Sequence, residues 1–128
     1  LAGPINFRRY SIEETHAQEI CKCVGVEYDG KIPNMLPPFF VPSTLLSIVE
    51  ERGMGIEGIN LSMNYDFLAD VKLGTLQVDI FPTRKPRQRK NENGEVSYIY
   101  KFKTLCSQET KPVTYGEIVC LSKNEINL

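Results

Sequence analysis

Hydrophobic and polar residues recur along this chain at two different periods, and the change falls between Gly53 and Ile59. Before it, Ile12, Ala17, Ile20, Cys21 and Val24 share one broad arc at 3.6-residue spacing, which predicts a surface helix ending at Gly25. Ser11, with Glu14 three residues on, predicts the capping box that opens this helix, and Ile5 to Tyr10 predict a short strand leading into it. A second helix is predicted from Pro37 to Gly53. Pro42 stands in its first turn, where a missing N–H does no harm, and Ser43 and Thr44 are available to cap it. Its apolar positions, Leu45, Leu46, Ile48 and Val49, cover much of the circumference, as expected of an enclosed helix, and Glu50, Glu51 and Arg52 mark its exit to solvent. Between the helices, Val26 to Phe40 carry Gly30 and three prolines, a loop long enough to be functional rather than merely connecting.

From Ile59 the period is two. Ile59, Leu61, Met63, Tyr65 and Phe67 alternate with Asn60, Ser62, Asn64 and Asp66, and Leu76, Val78 and Ile80 alternate with Gln77 and Asp79, which predicts half-buried strands. Asn91-Glu92-Asn93-Gly94 carries the Asn-Gly signal of a tight hairpin. The strand after it puts Val96, Tyr98, Tyr100, Phe102 and Cys106 on one face against Ser97, Lys101 and Lys103. Lys111-Pro112 predicts the next turn, and a last strand runs from Val113 to Leu121 with Tyr115, Val119 and Leu121 on one face. One buried helix followed by a run of long antiparallel strands is the order of an α+β hot-dog fold, in which the sheet wraps a single central helix.

Composition narrows the class. A chain of 128 residues is long enough for one domain with a real core, spanning residues 1–128, since domains of this size bury roughly 68% of their unfolded surface. Hydrophobic content of 41%, charged content of 24% and eight prolines fit an ordinary globular protein. No apolar run approaches the ~20 residues of a membrane span and no cleavable signal is visible, so a cytoplasmic location is expected. Cys21, Cys23, Cys106 and Cys120 lie among apolar neighbours and read as buried free thiols rather than two disulfides. Zinc is not expected, because Cys21 and Cys23 on a helix point to nearly opposite faces and only one histidine exists to complete a ligand set. The net charge is −1, but Arg84, Lys85, Arg87, Arg89 and Lys90 fall in one short segment. Without those five, 10 basic groups face 16 acidic ones, a balance of −6, so one end of the molecule is expected to be cationic.

The chain resembles the MaoC-like hot-dog proteins, specifically the single-hot-dog type of the N-terminal dehydratase-like family. The residues that carry the resemblance are Pro37-Pro38-Phe39 with Pro42-Ser43-Thr44 at the start of the second helix, and the stretch from Asn64 to Leu76 that contains Gly74-Thr75-Leu76. The aspartate that usually follows that glycine is missing. The resemblance runs from about Ile5 to Leu121 and implies an acyl-thioester hydratase or dehydratase, with coenzyme A or an acyl carrier bearing the substrate and no other cofactor. Catalytic members are similar to one another in a segment Asp-x-Asn-Pro-x-His, whose aspartate and histidine hold the water that is added or removed. Such a dyad must both take and give a proton near neutral pH. The corresponding loop here, Val24 to Asn34, contains no histidine, and Asp29 is only a loose counterpart.

His16 sits on or beside the apolar arc of the first helix, where a packed structural histidine is the simpler reading than a base. Thioesterase chemistry on this fold can use a carboxylate instead, which makes Asp29 the first candidate and Glu50 the second, although Glu50 and Glu51 are more simply a solvated helix exit and Asp66 is expected to face outward. The amides around Ser43, Thr44 and Leu45, at the positive end of the helix dipole, are positioned to polarise a thioester carbonyl, unless Ser43 and Thr44 merely cap. Arg84, Lys85, Arg87, Arg89 and Lys90 are candidates to grip coenzyme A phosphates or an acidic carrier, against the alternative of a solvated hairpin arm. Tyr98, Tyr100 and Phe102 beside that arm suggest a stacking platform, yet such aromatics more simply cover the central helix, so nucleic acid is the disfavoured partner. Three readings stay open: a substrate-binding subunit without the dyad, a homodimeric thioesterase, or a non-enzymatic binding module. Each expects a homodimer, a heterodimer with another hot-dog protein, or a higher oligomer, because a lone hot-dog leaves a sheet edge bare.

Overall fold

The computed structural model describes residues 6–51, 58–82 and 85–126, with the backbone alone at 58–60. In chain order it forms β1 (Asn6–Ile12), α1 (Glu14–Val24), a 3₁₀ turn (Pro37–Phe40) that runs directly into α2 (Val41–Glu51), then β2 (Gly58–Phe67), β3 (Gly74–Pro82), β4 (Arg87–Lys90), β5 (Val96–Gln108) and β6 (Lys111–Ser122). The strands make one antiparallel sheet in the order β1-β3-β5-β6-β2, and short β4 pairs with the start of β5. Helix α2 lies on one face of it. Val41, Leu45, Ile48 and Val49 share a single buried cluster with Ile12, Leu76, Val78, Ile80, Tyr100, Phe102 and Ile118. This is a hot-dog fold, and it arises because α2 is apolar around most of its girth while each strand offers it only alternate residues.

Four local expectations are corrected. Ser11 does not cap α1, because β1 continues through Ser11 and Ile12, which pair with Thr75 and Gly74 on β3. The ladder already engages that backbone, so the helix opens two residues later on Glu13, whose amide donates to His16 Nδ1 at 3.0 Å. Lys111-Pro112 is not a turn. The reversal is made by Glu109 and Thr110, both left-handed (φ 49° and 65°), and Lys111 already belongs to β6. Residues with no glycine or asparagine signal are forced there because a two-residue hairpin must follow the strand twist. In β2 the register shifts between Asn60 and Ser62, and Leu61, the extra residue of that bulge, is exposed rather than core-facing. Phe67 is likewise exposed at the end of this edge strand, whereas Met63 and Tyr65 pack on the core. Tyr115, Val119 and Leu121 share a face of β6 as expected; it is the outer one, and the core side carries Thr114, Gly116 and Ile118.

The Asn91 hairpin follows its sequence signal: the Asn91 side-chain oxygen accepts the amides of Asn93 and Glu95, both at 2.9 Å, and Gly94 adopts φ 80°. β5 likewise buries Tyr100, Phe102 and Cys106. Helix α2 is pinned to β1 by Arg8, which pairs with Glu51 at 2.6 Å and reaches Ser47 Oγ at 3.4 Å. Three of the four thiols are at least half-buried, but Cys23 is exposed, since it follows Cys21 by two residues on a one-sided helix.

Candidate functional site

The start of the central helix is where the sheet, the loop and α1 converge. Helical backbone begins at Pro37, and the first two residues have no N–H to present. The next amides are already engaged: Phe39 donates to the Leu36 carbonyl at 3.1 Å, and Val41 donates to the Pro38 carbonyl. Ser43, Thr44 and Leu45 therefore lie inside a continuous helical run rather than at its open end, and their side chains do not cap it. Ser43 is exposed and Leu45 is buried. Thr44 is fully buried, and its hydroxyl donates to the Phe40 carbonyl at 2.6 Å. Because a threonine hydroxyl has one hydrogen, the 2.6 Å contact with Tyr10 must be donated by the tyrosine.

Tyr10 is the residue that sequence reasoning did not single out. Its place on β1, alternating with Arg9 and Ser11, points it to α2, and its ring lies 4.8 Å from that of Phe40. His16 also reaches this cluster, edge-on to Phe40 with 5.7 Å between ring centroids. The histidine thus lies beside the start of the central helix. Its Nδ1 is occupied by the Glu13 amide, and among the described residues no carboxylate pairs with it.

The loop before the helix is held by its own side chains. Asp29 is exposed, and its Oδ1 accepts the Lys31 amide at 3.0 Å around Gly30, which stands at φ 87°. Tyr28 turns its hydroxyl toward Glu14, and burial together with that negative charge raises its pKa. Asn34 Nδ2 donates to Asp70 Oδ1 at 3.4 Å, joining the loop to the β2–β3 connection. Between the two runs a cleft of about 710 Å³, lined by Lys31, Ile32, Asn34, Asp70, Val71 and Lys72. Gln108 braces the far side of the connection by exchanging two hydrogen bonds with the Lys72 backbone, at 2.9 and 2.7 Å. Glu50 is exposed in the last turn of α2, nine residues and roughly 13 Å along the axis from Val41. The structure brings His16 to the helix start, leaves Asp29 in an outlying turn and puts Glu50 at the opposite end.

Lys85, Arg87, Arg89 and Lys90 are all exposed, and Arg84 lies outside the described residues. Arg87 stands opposite Ile99 and Arg89 opposite Ser97, so both share the outer face with Lys101 and Lys103. Those two lysines pair with Glu117, at 3.4 and 3.2 Å. On the inner face, burial pushes the Cys106 thiol up to about 12 and the Cys120 thiol to about 11, which keeps both protonated and poorly nucleophilic. Among the described residues no group of three or more histidine, cysteine, aspartate or glutamate side chains could hold a metal ion, and no helix is long and apolar enough to cross a membrane.

No protein-family model matches the sequence, and no curated protein matches it. Solved structures do. Protein AF1124 of Archaeoglobus fulgidus superposes with a TM-score of 0.67 at 14% identity, covering 95% of this chain and 79% of its own. The C-terminally truncated HadBC complex of Mycobacterium tuberculosis, a 3R-hydroxyacyl-ACP dehydratase, gives 0.66 at 13% identity with 90% of each chain covered. The probable thioesterase of Bartonella henselae gives 0.66 at 6% identity, covering 96% of this chain and 98% of that one. At such identities the likeness is one of fold.

Proposed function

We propose that this chain is an acyl-thioester-binding hot-dog subunit of the hydratase or dehydratase type, which supplies part of a substrate tunnel while a second hot-dog protein supplies the acid/base dyad. The observation that carries this reading is the loop before α2: it contains no histidine, and its aspartate, Asp29, is tied up in an exposed turn. The chain's single histidine spends Nδ1 on opening α1. A proton shuttle for water addition needs a base and an acid in reach of one reacting carbon, and these groups are dispersed. The MaoC-like resemblance and the similarity to a dehydratase complex support the same direction. The basic β4 arm would take the phosphates of coenzyme A or the acidic surface of a carrier.

The test is direct. The purified chain should bind an acyl-coenzyme A thioester yet show no hydration of a 2-enoyl thioester, and a co-purifying hot-dog partner should restore it. Robust hydration by the isolated chain that survives both His16→Ala and Asp29→Ala would end the proposal. The near-complete mutual coverage with the Bartonella henselae protein supports a second reading, a thioesterase working through Asp29 or Glu50. Thiol release from acyl-coenzyme A that is lost in Asp29→Asn or Glu50→Gln would favour it.

A further inference from the structure

At one end of the sheet, on the face turned away from α2, Arg9 of β1, Gln77 of β3 and Ser107 of β5 stand in one row across three strands. They line a groove of about 560 Å³, bordered by the β2–β3 connection and by the β5–β6 turn. The guanidinium is held in place. Its Nε donates to Gln77 Oε1 at 3.2 Å, Gln77 Nε2 donates in turn to Asp79 Oδ1 at 3.1 Å, and the Phe7 ring centroid lies 4.8 Å from the guanidinium carbon. Asp79 is buried, so the relay that orients the arginine starts from a fixed carboxylate. Nε is thereby spent while the two terminal amino groups stay available, and among the described residues none of the groove's cations, Arg9, Lys72 and Lys111, forms an ion pair. Lys72 is placed by the two bonds its backbone exchanges with Gln108. The local structure is irregular around the same groove. Cys106 faces Thr114 but Ser107 faces Pro112, so Val113 is the extra residue of a bulge. The neighbouring turn holds Glu109 and Thr110 at positive φ, where asparagine and glycine would fit without strain. Strain of this kind gathers where side chains are used.

We propose that this groove is a binding site for a phosphorylated polyol, such as a sugar phosphate, separate from the thioester site. A planar guanidinium with both amino groups free grips two phosphoryl oxygens at once, and the ammonium groups of Lys72 and Lys111 add the charge a dianion calls for. Cations alone would suit any anion. Asp70 and Glu109 also line the groove, and a carboxylate repels a bare anion but accepts hydrogen bonds from hydroxyls, as Ser107 does too. Three cations set against two carboxylates therefore match a ligand that is anionic at one end and hydroxylated at the other. The volume falls in the range of pockets that take a whole small ligand.

Calorimetric titrations at fixed ionic strength would compare ribose 5-phosphate, glucose 6-phosphate and glycerol 3-phosphate with inorganic phosphate, ribose and gluconate. At least one ester should bind about 10-fold tighter than any of the three comparators. Arg9→Gln, a change at an exposed side chain, should remove that binding without lowering the melting temperature. Glu109→Asn with Thr110→Gly gives the turn residues suited to its backbone, so the variant stays folded, and it should narrow the preference for the ester over inorganic phosphate. Equal affinity for the esters and any comparator, or ester binding that survives Arg9→Gln, would overturn the inference. Saturating the protein with an acyl-coenzyme A should leave ester binding unchanged. Competition between the two would overturn the separate site, by giving the groove to the phosphates of the thioester ligand, whereas a protein that binds the ester but no acyl-coenzyme A would overturn the thioester reading alone.

Discussion

Replacing Gly116 by alanine tests the packing on which the sheet floor depends. The added Cβ would lie 2.3 Å from the Asn64 carbonyl oxygen and 2.3 Å from Tyr65 Cδ1, against ordinary contacts of 3.4 Å or more, so each falls about 1.1 Å short. The ring can swing aside. The carbonyl cannot do so easily, because it belongs to the β2 backbone that pairs with β6 along the whole edge. Overpacking usually costs about 1–3 kcal/mol, and a clash that only backbone movement relieves belongs at the upper end, about 3 kcal/mol. With an unfolding entropy of ~2.1 cal/mol/K per residue, 128 residues give ~0.27 kcal/mol/K and a fall in Tm of about 11 °C. Thermal melts followed by far-UV circular dichroism would measure it, with Gly94→Ala as the control. Gly94 has φ 80° but open space around it, so its alanine variant suffers only the left-handed penalty of about 1–2 kcal/mol. In a double-mutant cycle the cost of Gly116→Ala should be smaller in a Tyr65→Ala background but should not vanish, since the carbonyl contact remains. A Gly116→Ala protein that melts within about 3 °C of the native one, or above Gly94→Ala, would refute the reasoning.

Further outcomes follow from other residues. Cys106 and Cys120 have folded pKa values of about 12 and about 11 against an ordinary 9.0, raised by burial, so their contribution is intact below pH 9 and is lost as pH rises through those values. Urea midpoints should therefore fall steeply above pH 9, and Cys106→Ala with Cys120→Ala should flatten that fall. Replacing Glu109 by asparagine and Thr110 by glycine puts residues suited to positive φ into the β5–β6 turn and should raise stability by about 1 kcal/mol, read as a higher urea midpoint at unchanged slope. Thr44→Val removes two hydrogen bonds and strands the Tyr10 hydroxyl, costing about 2 kcal/mol, whereas Tyr10→Phe removes one and should cost about 1 kcal/mol. Arg87→Ala with Arg89→Ala should weaken acyl-coenzyme A binding at low salt, converge with the native protein at high salt, and leave the melting temperature unchanged.

Periodicity alone determined the elements. Because side chains repeat every 3.6 residues on a helix and every two on a strand, the order of Leu45 to Val49 and of Val96 to Cys106 carried the central helix and the strands that enclose it, and hence the hot-dog fold. The Asn-Gly hairpin was legible for the same local reason. Tertiary structure decided what depended on partners. Ser11 was lost to the strand ladder, Leu61 was turned out by a bulge that only pairing with β6 creates, and Glu109-Thr110 took the turn because strand twist set its handedness. It also decided the site. No spacing rule brings Tyr10 to Thr44 and Phe40, sets His16 against Phe40, or lays Tyr65 across Gly116, since those contacts join residues that are distant along the chain and share no local pattern. A sequence displays which face a side chain takes on its own element, whereas its chemistry is set by what the fold places opposite.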